Sequence, residues 1–187
     1  ALVTGRWATN EIGTIEPVAE LSRVAAQHKV PLHTDAVQAV GQLSVDFSAS
    51  GASALSLTGH KLGGPTGIGA LLLGREVVCT PLLHGGGQER SVRSGTLDVA
   101  GISSFATAVE LAVAGQPERS KRLTELREDL IARVLRIPGT VRNGDLGDAR
   151  RPGNASFSFP GGEGDALLMR LDASGDESST GAAWTPG

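Results

Sequence analysis

Through its first half the chain alternates short β-rich runs with segments of helical periodicity, the pattern of βαβ units and a largely parallel sheet. Ala1 to Trp7 reads as a strand and is followed by the polar loop Ala8–Thr9–Asn10–Glu11–Ile12–Gly13–Thr14. Pro17, a residue favoured in the first turn of a helix, opens a stretch in which Val18, Leu21, Val24 and Ala25 recur at helical spacing. Val30 to Thr34 predicts the next strand, which stops at Asp35, and Ala54 to Leu57 predicts another. After the turn-rich Gly63–Gly64–Pro65–Thr66–Gly67, Ile68 to Leu73 returns as a strand. Polar residues thus collect where strands end, which is the edge at which open α/β sheets bind ligands.

Beyond Gly85–Gly86–Gly87 two helices are predicted. One covers Val99 to Val113; the other carries Leu123, Leu126, Leu130, Val134 and Ile137 on a single face, with charge on the opposite side. The second reads as a link between a large domain and a smaller one. Asn154 to Phe159 alternates apolar and polar residues as a strand does, and Glu163 to Leu171 reads as a helix. No internal repeat or low-complexity tract interrupts the pattern. The chain opens without Met in a strand-like run and closes at Trp184–Thr185–Pro186–Gly187 with no terminal helix, so the expectation is of segments missing on both sides.

Composition narrows the classes. With 187 residues, 40% of them hydrophobic and 20% charged, the chain has the makeup of a folded domain rather than a disordered one. A net charge of −3 with no block of like charge gives no field for nucleic acid or an anionic membrane, so small molecules or proteins are the expected partners. No apolar run approaches the roughly 20 residues that span a bilayer, and the N-terminus lacks a signal-peptide pattern. A single cysteine, Cys79, cannot form an intramolecular disulfide and suits a reducing compartment. A cytoplasmic location is expected.

Candidate chemistry begins at Lys61, which follows a strand and lies between His60 and a glycine-rich turn where a ligand can approach closely. Alone, such a lysine reads far more often as a solvated surface charge than as a functional group. Asp35 and Gln38, at the end of a neighbouring strand, change the picture. A lysine that forms a Schiff base on a pyridine cofactor needs an acid to keep the ring nitrogen protonated, and Asp35 stands where one is needed. The competing role for Asp35 is an N-cap of the turn Ala36–Val37–Gln38.

Three segments occur in the order and spacing of cysteine desulfurases: His33–Thr34–Asp35–Ala36–Val37–Gln38, Ser56–Leu57–Thr58–Gly59–His60–Lys61 and His84–Gly85–Gly86–Gly87–Gln88–Glu89–Arg90. Arg93–Ser94–Gly95–Thr96 and Asn10–Glu11–Ile12–Gly13–Thr14 match as well, and the chain resembles that family from end to end. The resemblance implies an α/β protein of the pyridoxal-phosphate (PLP) dependent transferase fold, fold type I, in the class V aminotransferase family. Residues 1–115 would be the C-terminal half of the large, mainly parallel-sheet PLP-binding domain. Residues 116–187 would be a linking helix and the start of a small α+β domain.

Carried over by position, the resemblance makes Lys61 the Schiff-base lysine and the carrier of the substrate α-proton. It assigns Asp35 to the pyridine nitrogen, Gln38 to the ring oxygen, and Thr58 and His60 to the phosphate, a role their donors can fill. Asn10 would lie near the ring oxygen and substrate carboxylate; Thr96 would reach the phosphate of the neighbouring subunit in a homodimer, or cap the helix before Leu97. L-cysteine is the implied substrate, and sulfur-acceptor or scaffold proteins the implied partners. No metal site is expected. His33 and His84 remain unassigned. His28 and Cys79, the latter in the apolar run Val77–Val78–Cys79, read as structural, and Arg90 and Arg93 as interface or solvated residues.

The pattern breaks at the end. Desulfurases carry a nucleophilic cysteine in a mobile loop, and the matching stretch here is Ser179–Thr180–Gly181–Ala182–Ala183–Trp184–Thr185, with Trp184 in the nucleophile's place. An indole cannot form a persulfide, and the hydroxyls of Ser178 and Ser179 are poor sulfur acceptors. Three functions follow as expectations: a cysteine desulfurase impaired at Trp184, another PLP reaction such as transamination or selenocysteine lysis, or a non-catalytic remnant or dimer partner.

Overall fold

The computed structural model describes residues 1–181, in the element order β1 (Val3–Arg6), α1 (Val18–Gln27), β2 (Leu32–Asp35), α2 (Phe47–Ser50), β3 (Ala54–Thr58), β4 (Gly69–Leu73), α3 (Val99–Ala114), α4 (Gln116–Val134), β5 (Val141–Arg142), β6 (Phe157–Ser158) and α5 (Gly164–Ala173). Chain contacts divide it into two units. The first comprises Ala1–Trp7 with Glu16–Arg119, the second Ala8–Ile15 with Ser120–Gly187, so the division falls inside α4 and the loop after β1 goes with the second unit.

In the first unit β1 to β4 form one sheet in sequence order. β1 pairs parallel to β2, with Thr4 opposite His33, and β2 pairs parallel to β3, with Asp35 opposite Ser56. β4 runs antiparallel to β3, Thr58 facing Gly69. The sheet is thus largely parallel, as expected, with one reversal, and the cause of that reversal is length. The connection from β3 to β4 holds only the 3-10 turn His60–Leu62, too short for the helical crossover that a parallel return requires.

α1 begins after Pro17 and buries Val18, Ser22 and Ala25, positions four and three apart on one stripe. Val18, Ala25, Leu32 and Ala52 make one core cluster; Ala36, Ala39 and Leu55 make another; Trp7 and Phe47 pack against both. Leu32 and Thr34 of β2 and Leu55 of β3 are buried on this helix-covered face, so period-two alternation sends His33, Asp35 and Ser56 to the other. The buried residues are mostly small, and Leu71 of β4 remains 51% exposed.

The second unit holds the α4 residues from Ser120, the two-stranded antiparallel β5–β6 pair, and α5. The apolar stripe expected on α4 is only partly buried. Leu123 and Val134 are half-buried, Leu126 and Leu130 are 57% and 47% exposed, and Ile137 lies past the helix end; the buried Ile131 is not one of the expected positions. The strand expected over 154–159 is only the two residues of β6. Among the described residues no single helix is long and apolar enough to cross a membrane.

Candidate cofactor site

β2 and β3 are neighbours that end one after the other, at Asp35 and Thr58, and their register places Asp35 beside Ser56. Thr58 is two residues beyond Ser56, so Asp35, Ser56 and Thr58 share the sheet face that α1 does not cover. Asp35 is exposed, and its Oδ1 accepts the Val37 amide at 2.9 Å. The N-cap role expected from sequence is therefore present, though it caps a turn rather than a helix. Its own main chain accepts from Trp7 at 2.7 Å, which ties the strand end to β1. Gln38 follows in the same turn, half-buried.

On leaving β3 the chain enters the 3-10 turn with Thr58 Oγ1 and His60 Nδ1 3.0 Å apart, and Thr58 Oγ1 also donates to the Ile68 carbonyl at 3.3 Å. This pairing fixes both phosphate candidates to one another. Lys61 is exposed in the middle of the turn. The glycines around it divide the work. A Cβ on Gly64 would stand 2.8 Å from Ala108 Cβ, so that glycine lets the turn pack on α3, whereas at Gly63 and Gly67, both at positive φ, nothing of the described residues lies within 4 Å. The turn thus keeps open space next to the lysine.

The loop after β4 is knitted by its own polar groups: Ser94 Oγ accepts from Gly87 N at 3.3 Å and Gln88 Oε1 from Gly95 N at 3.0 Å. Thr96 follows, exposed. It does not cap α3. Asp98 does, its Oδ1 accepting the Gly101 amide at 3.0 Å. Within this loop Glu89, Arg90 and Ser91 have φ of 50°, 57° and 63°, a left-handed run that non-glycine residues seldom adopt.

The donor set fits PLP: an exposed amine with room beside it, a carboxylate at an adjoining strand end, and a hydroxyl and imidazole already paired at the mouth of the same turn. Lys61, Asp35, Gln38, Thr58 and His60 all come from the first unit. Asn10 belongs to the second, where its carbonyl accepts from Asn154 Nδ2 at 3.0 Å. Trp184 lies outside the described residues.

Some residues stand differently from their sequence reading, or have roles it did not name. His33 bridges three strands, with Nδ1 2.8 Å from Thr4 Oγ1 and Nε2 3.1 Å from Ser56 Oγ, so it braces the face that carries Asp35. Strand alternation carried a signal for this, but only once the register is known. Cys79 is half-buried, yet its neighbour Val78 is 95% exposed, so the apolar run is not a buried shell. In the second unit Arg150 and Arg151 are 4% and 7% exposed, and burial pushes both guanidinium pKa values down. His84 and His28 are exposed.

Comparison with known proteins identifies the family and the fold. The family model for aminotransferase class-V matches residues 1–185, and the chain belongs to that family. It is 58% identical to the IscS-like cysteine desulfurase of Mycobacterium tuberculosis, over 100% of this chain and 48% of the relative. It is 44% identical to the cysteine desulfurase IscS of Dictyoglomus turgidum, over 97% of this chain and 46% of that protein. A NifS-like protein of Rickettsia africae superimposes with a TM-score of 0.90 at 30% identity, covering 97% of this chain and 50% of its own. The fold is thereby that of the PLP-dependent class V enzymes. The chain spans about half the length of the curated relatives it matches.

Proposed function

We propose that this chain works in a PLP-dependent cysteine desulfurase that converts L-cysteine to L-alanine and passes the sulfur to acceptor or scaffold proteins for iron–sulfur cluster and thio-cofactor assembly. The observation that carries this reading is the convergence of Asp35, Thr58, His60 and Lys61 at two adjoining strand ends. Bound PLP supplies an electrophilic carbonyl and a protonated pyridine ring that accepts electron density from the substrate α-carbon. The Lys61 amine would hold that carbonyl carbon and move the α-proton. Asp35 would keep the ring nitrogen protonated, Gln38 would donate to the ring oxygen, and Thr58 and His60 would hold the phosphate. Asn10 would face the ring oxygen and substrate carboxylate. Thr96 would reach the neighbouring subunit's phosphate in a homodimer, and the lone cysteine supports a cytoplasmic, reducing setting.

Trp184 occupies the position at which the family's sulfur-accepting cysteine is expected, so sulfur transfer is impaired in this copy. The same residue favours the second reading, a non-catalytic partner that keeps the cofactor site. Borohydride reduction of the PLP-loaded protein followed by peptide mapping tests the first. The label belongs on Lys61; recovery on any other lysine, Lys29 and Lys121 of this sequence included, removes the assignment. Sulfide and alanine from cysteine distinguish a desulfurase from a transaminase, which releases a keto acid.

A further inference from the structure

The loop bearing Asn10 is held from the second unit, of which it is part. It is closed on itself by Thr9 N donating to the Thr14 carbonyl and Thr14 N to Thr9 Oγ1, both at 2.8 Å. Its later half is tied to the segment before β6. Ile15 N donates to the Ala149 carbonyl at 2.9 Å, Arg151 N to the Gly13 carbonyl at 2.8 Å, and Asp145 N to Thr14 Oγ1 at 3.3 Å. The crest of the loop is gripped by one carboxamide: Asn154 Nδ2 donates to the Asn10 carbonyl at 3.0 Å and to the Glu11 carbonyl at 3.4 Å.

We propose that Asn154 is a positioning residue for Asn10, setting the place of its main chain and hence of its side chain on the substrate side. The inference rests on the reading of Asn10 as a substrate-facing residue. Three features make the grip specific. Arg150 Nη1 donates to Asn154 Oδ1 at 3.4 Å, and because a guanidinium only donates, the oxygen must face it and both amide hydrogens are turned to the loop. Arg150 is itself anchored, its Nε and Nη2 donating to the Asp145 carbonyl at 2.9 and 2.8 Å and Nη2 to the Asn143 carbonyl as well. Gly13, at φ 72°, supplies the space: a Cβ there would stand 2.5 Å from Asn154 Cγ. A carboxamide, a buried arginine and a glycine therefore act as one device, assembled from positions more than 130 residues apart.

The test is a double-mutant cycle on the full-length, PLP-loaded protein, reading L-cysteine affinity from the cysteine-dependent absorbance change and, separately, amide hydrogen exchange over residues 9–14. Asn154→Ala is expected to weaken cysteine binding about tenfold, the effect of losing one to two net hydrogen bonds. It should also speed exchange at 9–14 with cofactor content unchanged. Asn10→Ala should weaken binding at least as much, and the double variant no further than Asn10→Ala alone. Gly13→Ala should reproduce the Asn154→Ala effect with Asn154 present. Asn154→Asp should not rescue it, since a carboxylate offers the loop carbonyls no donor. Asn154→Ser serves the same cycle if the alanine variant does not fold. If Asn10→Ala leaves cysteine affinity intact, the reading of Asn10 falls. If Asn10→Ala weakens binding while Asn154→Ala does not, if the two effects add, or if exchange at 9–14 is unchanged, the positioning role is overturned.

Discussion

Asp35 shapes its own turn, and the proposed function gives the same carboxylate a second role. Its Oδ1 shapes the turn after β2 by accepting the Val37 amide, while its exposed position at the strand end suits it to a pyridine nitrogen. The two can be separated because asparagine keeps the accepting oxygen and loses the charge. Asp35→Asn is expected to keep the fold and most of the cofactor but slow solvent exchange of the L-cysteine or L-alanine α-proton by about 10²–10⁴-fold, the range typical of a lost acid–base contribution. Proton NMR in deuterated water measures this without any sulfur transfer. Normal exchange with full cofactor would contradict the electron-sink role. At this scale the sequence was informative wherever a residue acts close to its own neighbours, as Thr58 with His60 and Asp35 with Val37 do. It was silent on His33 and Asn154, because their partners Thr4, Ser56 and Asn10 come from other segments and only register or docking brings them near.

Glu89–Arg90–Ser91 is a run of three consecutive non-glycine residues at left-handed φ in the first unit. A non-glycine residue in this region costs about 1–2 kcal/mol, and glycine there gives back about 0.5–1 kcal/mol through the freer unfolded chain. Relief outweighs that loss, so Ser91→Gly is expected to stabilise the protein by roughly 0.5–1 kcal/mol, read as a raised midpoint in urea unfolding. A lowered midpoint would mean that the Ser91 side chain contributes more than its backbone strain costs. Elements with strong periodicity, α1, α3 and the strands to β4, were legible in the sequence to within a few residues. The α4 stripe was not, since helical spacing shows that leucines share a face but not that anything covers it, and Leu126 and Leu130 remain exposed. Strand patterning gave β4 no direction; the shortness of the link after β3 is what carries its reversal.

The two units carry different candidate groups. The first holds Lys61, Asp35, Thr58 and His60 at or just beyond the ends of β2 and β3, and the second fixes the Asn10 loop through Asn154 and Arg151. Position 184, where the proposed function would place a sulfur-accepting cysteine, holds tryptophan. Activation of the substrate and acceptance of its sulfur are therefore expected to come apart. The most direct measurement is alanine release from L-cysteine by the full-length, PLP-loaded protein beside its Trp184→Cys variant. Both should show the same cysteine-dependent absorbance change, with alanine and protein-bound sulfur formed at an appreciable rate only by the variant. Alanine release by the unaltered protein as fast as by Trp184→Cys would contradict the account and assign the sulfur to another residue.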